Sequence, residues 1–285
     1  MSLTAPAEPS HSLRHQIRQA LLREGFYAPV YLYETYVRGF CWSRFRRNLS
    51  YRLGGASDAL PIPPGRLLWL VISSTDIQDY LESGLAHVNN LFLPLLERNG
   101  LPIDRFGTVL DFGCGCGRIM RYWSRLDGVK LFGTDLEPKA ISWCRRHLGF
   151  AEFQVNNLKP PLSFESSAFD LVYARSVFTH LTEPLQDAWL GELHRVLRPS
   201  GHLLFTVSGD AYRDTMTPDE ESRYDKHQHV VRSPEHVGYS DCAVWHPEDY
   251  VRTHWRRFGF EIVDLLRGRR LPYLYQDTYL ARRSA

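Results

Sequence analysis

One segment of this 285-residue chain concentrates residue types suited to holding a small charged ligand. Asp111 is followed by Phe112-Gly113-Cys114-Gly115-Cys116-Gly117, a carboxylate at the mouth of a turn with glycine at every second position. The apolar run Thr108–Phe112 before it reads as a buried strand. Ile119, Met120, Trp123 and Leu126 after it recur at helical spacing and predict a helix over 118–126. Glycines between a strand and a helix let a ligand approach the backbone closely, and a helix start offers unpaired N–H groups. A dinucleotide is a poor fit, because its fingerprint needs glycine at 118, where Arg118 stands, and Asp111 would sit badly beside a pyrophosphate. That carboxylate suits a cationic ammonium instead. Asp135 ends the next strand, Lys130–Asp135, and is positioned to accept both hydrogens of a ribose diol.

A ligand with a ribose, a base, an amino-acid tail and no phosphate is S-adenosylmethionine (SAM). Its chemistry needs an acceptor, and candidate acceptor residues follow the fourth predicted strand, Phe169–Ala174. Arg175 suits an anionic substrate group or a salt bridge. His180, in Phe178-Thr179-His180, titrates near neutrality and is read as a general base, with a packing role as the alternative. The excursion 209–246 is too long for a plain connector and reads as a lid or substrate loop, with Tyr212, Tyr239 and His246 as contact candidates. Asp225, His227, His229 and His236 lie in the same excursion, and Cys114 with Cys116 in the glycine turn, but neither set has the spacing of a metal site, and no metal is expected.

The elements that must position these residues alternate. Strands at 108–112, 130–135, 153–155, 169–174 and 202–207 are separated by helical stretches, Pro138–His147 and 184–197 the clearest. That order means βαβ units and a mostly parallel sheet. A helix over 247–258 precedes strands Phe260–Leu266 and Tyr273–Ala281, whose short connection of about six residues makes the last pair antiparallel. Upstream, 76–96 reads as a helix ending near Asn99-Gly100, and Gly54-Gly55 to Gly65 as a loop. The fold class is therefore α/β: a doubly wound, Rossmann-like sheet of seven strands, mostly parallel with one antiparallel strand, plus an N-terminal helical extension. The domain reading is 1–65 for the extension, as lid or dimer element, and 66–285 for the ligand-binding domain with its 209–246 insertion.

Composition narrows the class. With 44% apolar residues and 15 Phe, 15 Tyr and 7 Trp the chain is globular rather than disordered. The net charge of +2 divides into +5 over 1–52, −8 over 53–250 and +5 over 251–285, which is no basic stripe, so nucleic acid is not the expected partner. No apolar run reaches membrane-spanning length, the start Met1–Gln16 lacks a signal peptide's apolar stretch, and five irregularly spaced cysteines read as reduced thiols. The expected location is the cytoplasm. Tyr33, Tyr36 and Phe40, backed by arginines within 26–47, form an amphipathic stretch for which a lid, a homodimer contact and a membrane surface all stay open.

The segment Val109-Leu110-Asp111-Phe112-Gly113-Cys114-Gly115-Cys116-Gly117-Arg118 resembles the first motif of class I SAM-dependent methyltransferases. Phe169-Asp170-Leu171-Val172 and Leu193-His194-Arg195-Val196-Leu197-Arg198-Pro199-Ser200-Gly201 resemble later motifs of that superfamily, with Ser200 where the bacterial subgroup has glycine. Ser176–Leu181 and Trp189-Leu190 are similar to a subgroup of glycan and secondary-metabolite pathways. The resemblance implies SAM as cofactor. It sets Asp111 and Gly113 at the methionine amine, Gly115 and Gly117 in the cradle, Asp135 on the ribose, Leu136 on the adenine face, and Asn156 or Asn157 at the adenine amino group. Tyr173-Ala174-Arg175-Ser176 lacks both the Asp/Asn-Pro-Pro-Tyr of nucleic-acid amine methylation and the acid that binds magnesium in catechol-type enzymes. The expected activity is metal-independent methyl transfer to a small molecule, at a hydroxyl of a natural product or sugar rather than at nitrogen. Two other readings stay open: a catalytically silent partner subunit of the same fold, and a SAM-dependent enzyme that transfers something other than methyl.

Overall fold

A computed structural model describes residues 42–284; most of the aromatic and arginine-rich stretch 26–47 lies outside the described residues. The chain divides between Gly54 and Gly55 into two compact units. In the first, α1 (Trp42–Gly54) is described. No helix among the described residues is long and apolar enough to cross a membrane.

In the second unit, α2 (Gly65–Ile72) and α3 (Ile77–His87) precede the sheet, and α3 continues through one wide turn, Val88–Phe92, into Leu93–Glu97. Asp76 starts α3 as a cap, its Oδ1 accepting the Gln78 N–H at 3.0 Å. The strands are β1 (Thr108–Phe112), β2 (Lys130–Asp135), β3 (Glu152–Val155), β4 (Phe169–Ala174), β5 (Leu197–Val207), β8 (Phe260–Leu266) and β9 (Asp277–Arg283). They form one sheet in the order β3-β2-β1-β4-β5-β9-β8. β9 alone runs against its neighbours, pairing antiparallel with both β5 and β8. The expected seven-stranded, doubly wound sheet with one antiparallel strand is therefore the observed one.

Period-two alternation explains why both faces are dry. Leu110, Val172, Leu203, Phe205 and Tyr279 face one core with Phe178, Trp189 and Trp255. Val109, Leu171, Tyr173, Leu204 and Leu280 face the other with Phe92 and Trp123. Two local expectations change. The stretch after the glycine turn is not an α-helix over 118–126; it is a 3₁₀ turn at Met120–Trp123, held by bonds spanning three residues such as Tyr122 N–H to Ile119 C=O at 3.0 Å. Its apolar spacing is satisfied by either winding, while the side chains of Arg118 and Arg121 are drawn sideways to α3 and to Asp58. The second difference is at the β8–β9 connection, where ten residues intervene, because Arg269–Leu274 closes its own turns and Tyr273 adopts φ +68°.

The excursion 209–246 is a folded subassembly. A short helix, Pro218–Asp225, and two antiparallel strands, β6 (Val230–Arg232) and β7 (Ala243–Trp245), pack Tyr224, Val230 and Trp245 together. It rejoins the sheet where Trp245 bridges Ser208 at the end of β5.

Asp58 anchors the loop that precedes α2. Arg121, 1% exposed, donates Nε–H to Asp58 Oδ2 at 2.5 Å and Nη2–H to Asp58 Oδ1 at 2.8 Å and Leu60 C=O at 3.2 Å. Removing one member of a buried pair strands the other charge. Asp58→Ala is therefore expected to lower unfolding stability by about 3 kcal/mol in urea titrations, whereas Glu261→Ala, at the exposed pair with Arg282, should change it by less than about 1 kcal/mol.

Candidate active site

β1, β2 and β3 end side by side, and each delivers one polar residue to the same edge. The turn after β1 holds Gly113 and Gly117 at φ +83° and +77°, a region that strains any residue with a side chain. Cβ atoms there would also come within 2.4 Å of Val177 and Leu148 respectively, so both faces of the turn are closed by apolar side chains. Gly113 and Cys114 donate their N–H groups to the Thr134 carbonyl at 2.8 and 2.9 Å. Gly115 donates its own to Asp135 Oδ2 at 2.8 Å, and Asp135 Oδ1 accepts the Glu137 N–H at 2.8 Å. These N–H groups of the turn are thus used within the protein. The cradle works through its shape and its carboxylates rather than through a helix start.

Asp111 is 2% exposed. Burial, with Asp135 nearby, pushes its pKa up to about 8, against the opposing pull of the Tyr173 hydroxyl and Arg118, and no ion pair neutralises it among the described residues. Asp135 is also raised by burial, partly countered by the N–H groups of Glu137 and Gly115. On β3, Asn156 keeps its Oδ1 buried without a donor while its Nδ2 donates to the Asn157 carbonyl at 2.8 Å. Asn157 is exposed. Leu136 is half-buried, and a Cβ on Gly238 would lie 3.8 Å from it. A buried carboxylate without a counter-ion, a second carboxylate with spare lone pairs, and an amide oxygen without a donor fit, in that order, an ammonium, a ribose diol and an adenine amino group. These residues therefore suit SAM.

The acceptor candidates gather beyond β4. Ser176 takes φ +61°, held there by its N–H to Thr206 Oγ1 at 2.8 Å and by the Gln276 Nε2–H to its Oγ at 2.6 Å. Arg175 donates to Gln276 Oε1, which also accepts from Thr206 Oγ1 at 2.6 Å. Tyr212 lies against the same Gln276. His180 Nδ1 donates to the Cys242 carbonyl at 2.7 Å, which leaves Nε2 as the basic nitrogen. Burial, reinforced by Arg175, lowers the His180 pKa, so the ring is neutral at pH 7.

Two candidates stand apart from this group. His246 is fully buried, its Nε2 against Gln186, and its ring meets His229 edge-on at 5.1 Å. Tyr239 is 53% exposed on the excursion. Of the histidines and acids once grouped as metal candidates, His227 meets Asp249 at 3.2 Å on the surface and His229 meets Gln186 at 2.9 Å, so they point to different partners.

Several residues of the site escape a motif reading. Arg118 draws notice only as a missing glycine, yet its Nη1 reaches Ser83 Oγ and His87 Nδ1, each at 3.1 Å. Tyr80 donates to the Cys116 carbonyl at 2.9 Å. The available signal was the spacing of Tyr80, Ser83, Gly84 and His87 on one face of α3, with glycine at the contact: a Cβ on Gly84 would come within 2.4 Å of the Arg118 carbonyl.

Residues 109–201 match the family model described as a methyltransferase domain. A malonyl-[acyl-carrier protein] O-methyltransferase from Enterobacter lignolyticus is 40% identical over 107 residues, 38% of this chain and 41% of the relative. A fatty-acid O-methyltransferase from Mycolicibacterium smegmatis is 34% identical over 106 residues, 36% and 38% of the two chains. The chain thus spans about two fifths of the length of these curated relatives. Among solved structures, the 1,6-didemethyltoxoflavin-N1-methyltransferase of Burkholderia thailandensis superposes with TM-score 0.52 at 18% identity, over 99% of this chain and 95% of that one. Its fold is the same. Motif, sheet order and family model agree: residues 109–201 match a methyltransferase domain, and they sit in the sheet that the class I, SAM-dependent resemblance implies.

Proposed function

We propose that the protein transfers a methyl group from SAM to a hydroxyl oxygen of a small-molecule acceptor. The observation that carries this reading is the edge formed by Asp111, Asp135 and Asn156 at the ends of three adjacent parallel strands. Ligands of open α/β sheets bind at such carboxyl ends. The relatives' names support oxygen as the acceptor atom and put acyl compounds, malonyl-[acyl-carrier protein] and fatty acid, beside the sugars and natural products expected from sequence.

SAM supplies an electrophilic methyl on a sulfonium, and the electron pair of the broken S–C bond stays on sulfur. Asp111 would hold the tail and Asp135 the ribose, and the acceptor candidates lie beyond β4, next to this edge. His180 Nε2 takes the hydroxyl proton as the oxygen bonds to the methyl carbon, while the Cys242 carbonyl fixes the ring in the tautomer that leaves Nε2 free. The products are a methyl ether, S-adenosylhomocysteine and a proton. Orientation supplies most of the remaining acceleration.

Calorimetry with SAM and S-adenosylhomocysteine tests the cofactor half. Micromolar binding is expected, weakened at least about tenfold in Asp135→Ala, since hydrogen bonds to a charged group contribute about 1.5–3 kcal/mol. Absence of binding overturns the reading. SAM binding without methyl transfer to any hydroxylated acceptor in a product screen overturns the transfer half and leaves the silent binding subunit and the SAM-dependent enzyme that transfers something other than methyl.

Asp111→Asn separates stability from binding. The native carboxyl keeps its proton up to about pH 8 while the unfolded one releases it near pH 4, so wild-type stability falls as pH rises through that window. The variant should lack this slope. Its melting temperature should exceed wild type by an amount that grows from pH 5 to pH 9, and its SAM affinity should be lost. An advantage independent of pH would mean that Asp111 is ionised in the free protein.

His180→Gln is expected to cut turnover by about 10²–10⁴-fold with SAM affinity and melting temperature nearly unchanged. Turnover within about threefold of wild type would remove His180 as the base. A joint fall in rate, affinity and melting temperature would make it a packing residue.

A further inference from the structure

Two arginines on this edge have no ion-pair partner among the described residues. Among the described residues Arg118 bonds only to the neutral partners Ser83 Oγ and His87 Nδ1, and Arg175 to Gln276. Neither forms an ion pair among the described residues, and the Nε atom of each is buried with no hydrogen-bond partner. Elsewhere Arg121 pairs with Asp58 and the half-buried Arg232 with Glu220, while Arg283 at the end of β9 meets only the Ser167 hydroxyl and the Leu197 carbonyl and also keeps a buried Nε without a partner. The two unpaired groups also feel each other. Burial, with Arg118 as the nearby charge, lowers the Arg175 pKa to about 9. The same two arginines help hold buried His87 well below its usual pKa, so this ring adds a neutral acceptor rather than a third cation. The other titratable neighbours are Asp111, Tyr80, Cys116 and Tyr122 around Arg118, and Tyr212 and His180 around Arg175. Of these Asp111 is the carboxylic acid, and burial keeps its proton on up to about pH 8, so it gives the arginines no anion at neutral pH.

The cofactor supplies at most one anion for the two arginines. SAM has a sulfonium, an ammonium and one carboxylate, so it brings a further net positive charge. Even with Asp111 and Asp135 ionised against it, the two arginines leave the loaded site cationic. Like charges held together in a poorly solvated site are costly unless an anion joins them.

We propose that Arg118 and Arg175 together seat an anionic group of the acceptor, a carboxylate, so that the substrate class is hydroxy acids rather than neutral alcohols. This rests on the SAM-dependent reading and adds the charge of the second substrate. A planar carboxylate offers both oxygens, one to the Nε–H side of each guanidinium. Tyr212 and Gln276 border the seat from the excursion and from the approach to β9. The acceptor's hydroxyl is then directed at His180. Such a clamp would place the reacting oxygen without contact to the rest of the acceptor, which is what a positioning device must do.

The test is a thermal-shift titration of the full chain loaded with saturating S-adenosylhomocysteine, using acids paired with their amides: salicylate with salicylamide, and lactate with lactamide. At least one acid is expected to raise the melting temperature, its amide not. Arg175→Met and Arg118→Met should each weaken the acid's effect at least about tenfold in apparent affinity while preserving the S-adenosylhomocysteine shift. Ligand-free Arg175→Met should melt no lower than wild type, because a buried unpaired charge has been removed. Equal shifts by acid and amide, or no shift by either acid, overturn the proposal. So does an acid effect that survives both substitutions. Loss of the S-adenosylhomocysteine shift in Arg118→Met, with acid discrimination intact, would assign Arg118 to the cofactor and also overturn it. Failure of S-adenosylhomocysteine to shift the wild-type protein sinks the SAM reading itself, a distinct result.

Discussion

The contact on which the site depends is the one between Asp135 and the Gly115 N–H. It joins the end of β2 to the turn after β1, at 2.8 Å, while the Thr134 carbonyl holds Gly113 and Cys114 from the same strand end. Three consecutive bonds fix a backbone that only glycine adopts readily. They do so with a carboxylate that still has lone pairs facing outward. The residue suited to hold a ribose is therefore also the one that shapes the cradle. Loss of its side chain would relax the turn as well as remove a ligand contact.

Around this clamp the protein buries ionisable groups that it does not pair with an opposite charge. Among the described residues Asp111 is buried without an ion pair, and Arg118 and Arg175 bond only to neutral partners. Each lies on a structural element that would be satisfied by an apolar residue: the core strand β1, the stretch beneath α3, and the start of the loop after β4. Ser176 adds a left-handed backbone at the same place, held by Thr206 and Gln276. Where local rules are broken together, without compensation inside the protein, binding of charged groups is the natural compensation. A ligand-free site of this kind is poised to gain stability when an ammonium meets Asp111 and an anion meets the arginines.

The sheet was legible in the sequence because period-two burial and glycine punctuation leave little freedom. Leu110 and Val109 belong to opposite cores, and no slip by one residue would keep both buried. The placement of Asp111 and Asp135 was legible for the same reason, as Asp135 ends β2 and Asp111 lies one residue before the end of β1, both in fixed register. The 3₁₀ winding of Met120–Trp123 was not, because Ile119, Met120, Trp123 and Leu126 satisfy a helical pattern whatever the local hydrogen bonding. Nor was the burial of His246. A histidine in a long excursion looks solvent-facing until the excursion folds back and Gln186 claims its ring. The choice between Asn156 and Asn157 depended on which side of β3's end turns inward, and a strand of four residues gives too little pattern to tell.

Helix α3 links these levels. Its Gly84 allows the helix to approach the Arg118 carbonyl closely, and that approach brings Tyr80, Ser83 and His87 onto the glycine turn. Tyr80 ties the Cys116 carbonyl, so the third glycine cannot swing away from the first two. Ser83 and His87 accept from Arg118 without cancelling its charge, because neither is an anion and burial keeps His87 neutral. A carboxylate at position 83 or 87 would neutralise the guanidinium and hold it more tightly, but it would also remove the positive potential from the acceptor side. Hydroxyl and imidazole orient Arg118 and leave its charge unanswered. On this reading α3 serves selectivity as much as stability, since it sets the sign of the group that the site can admit.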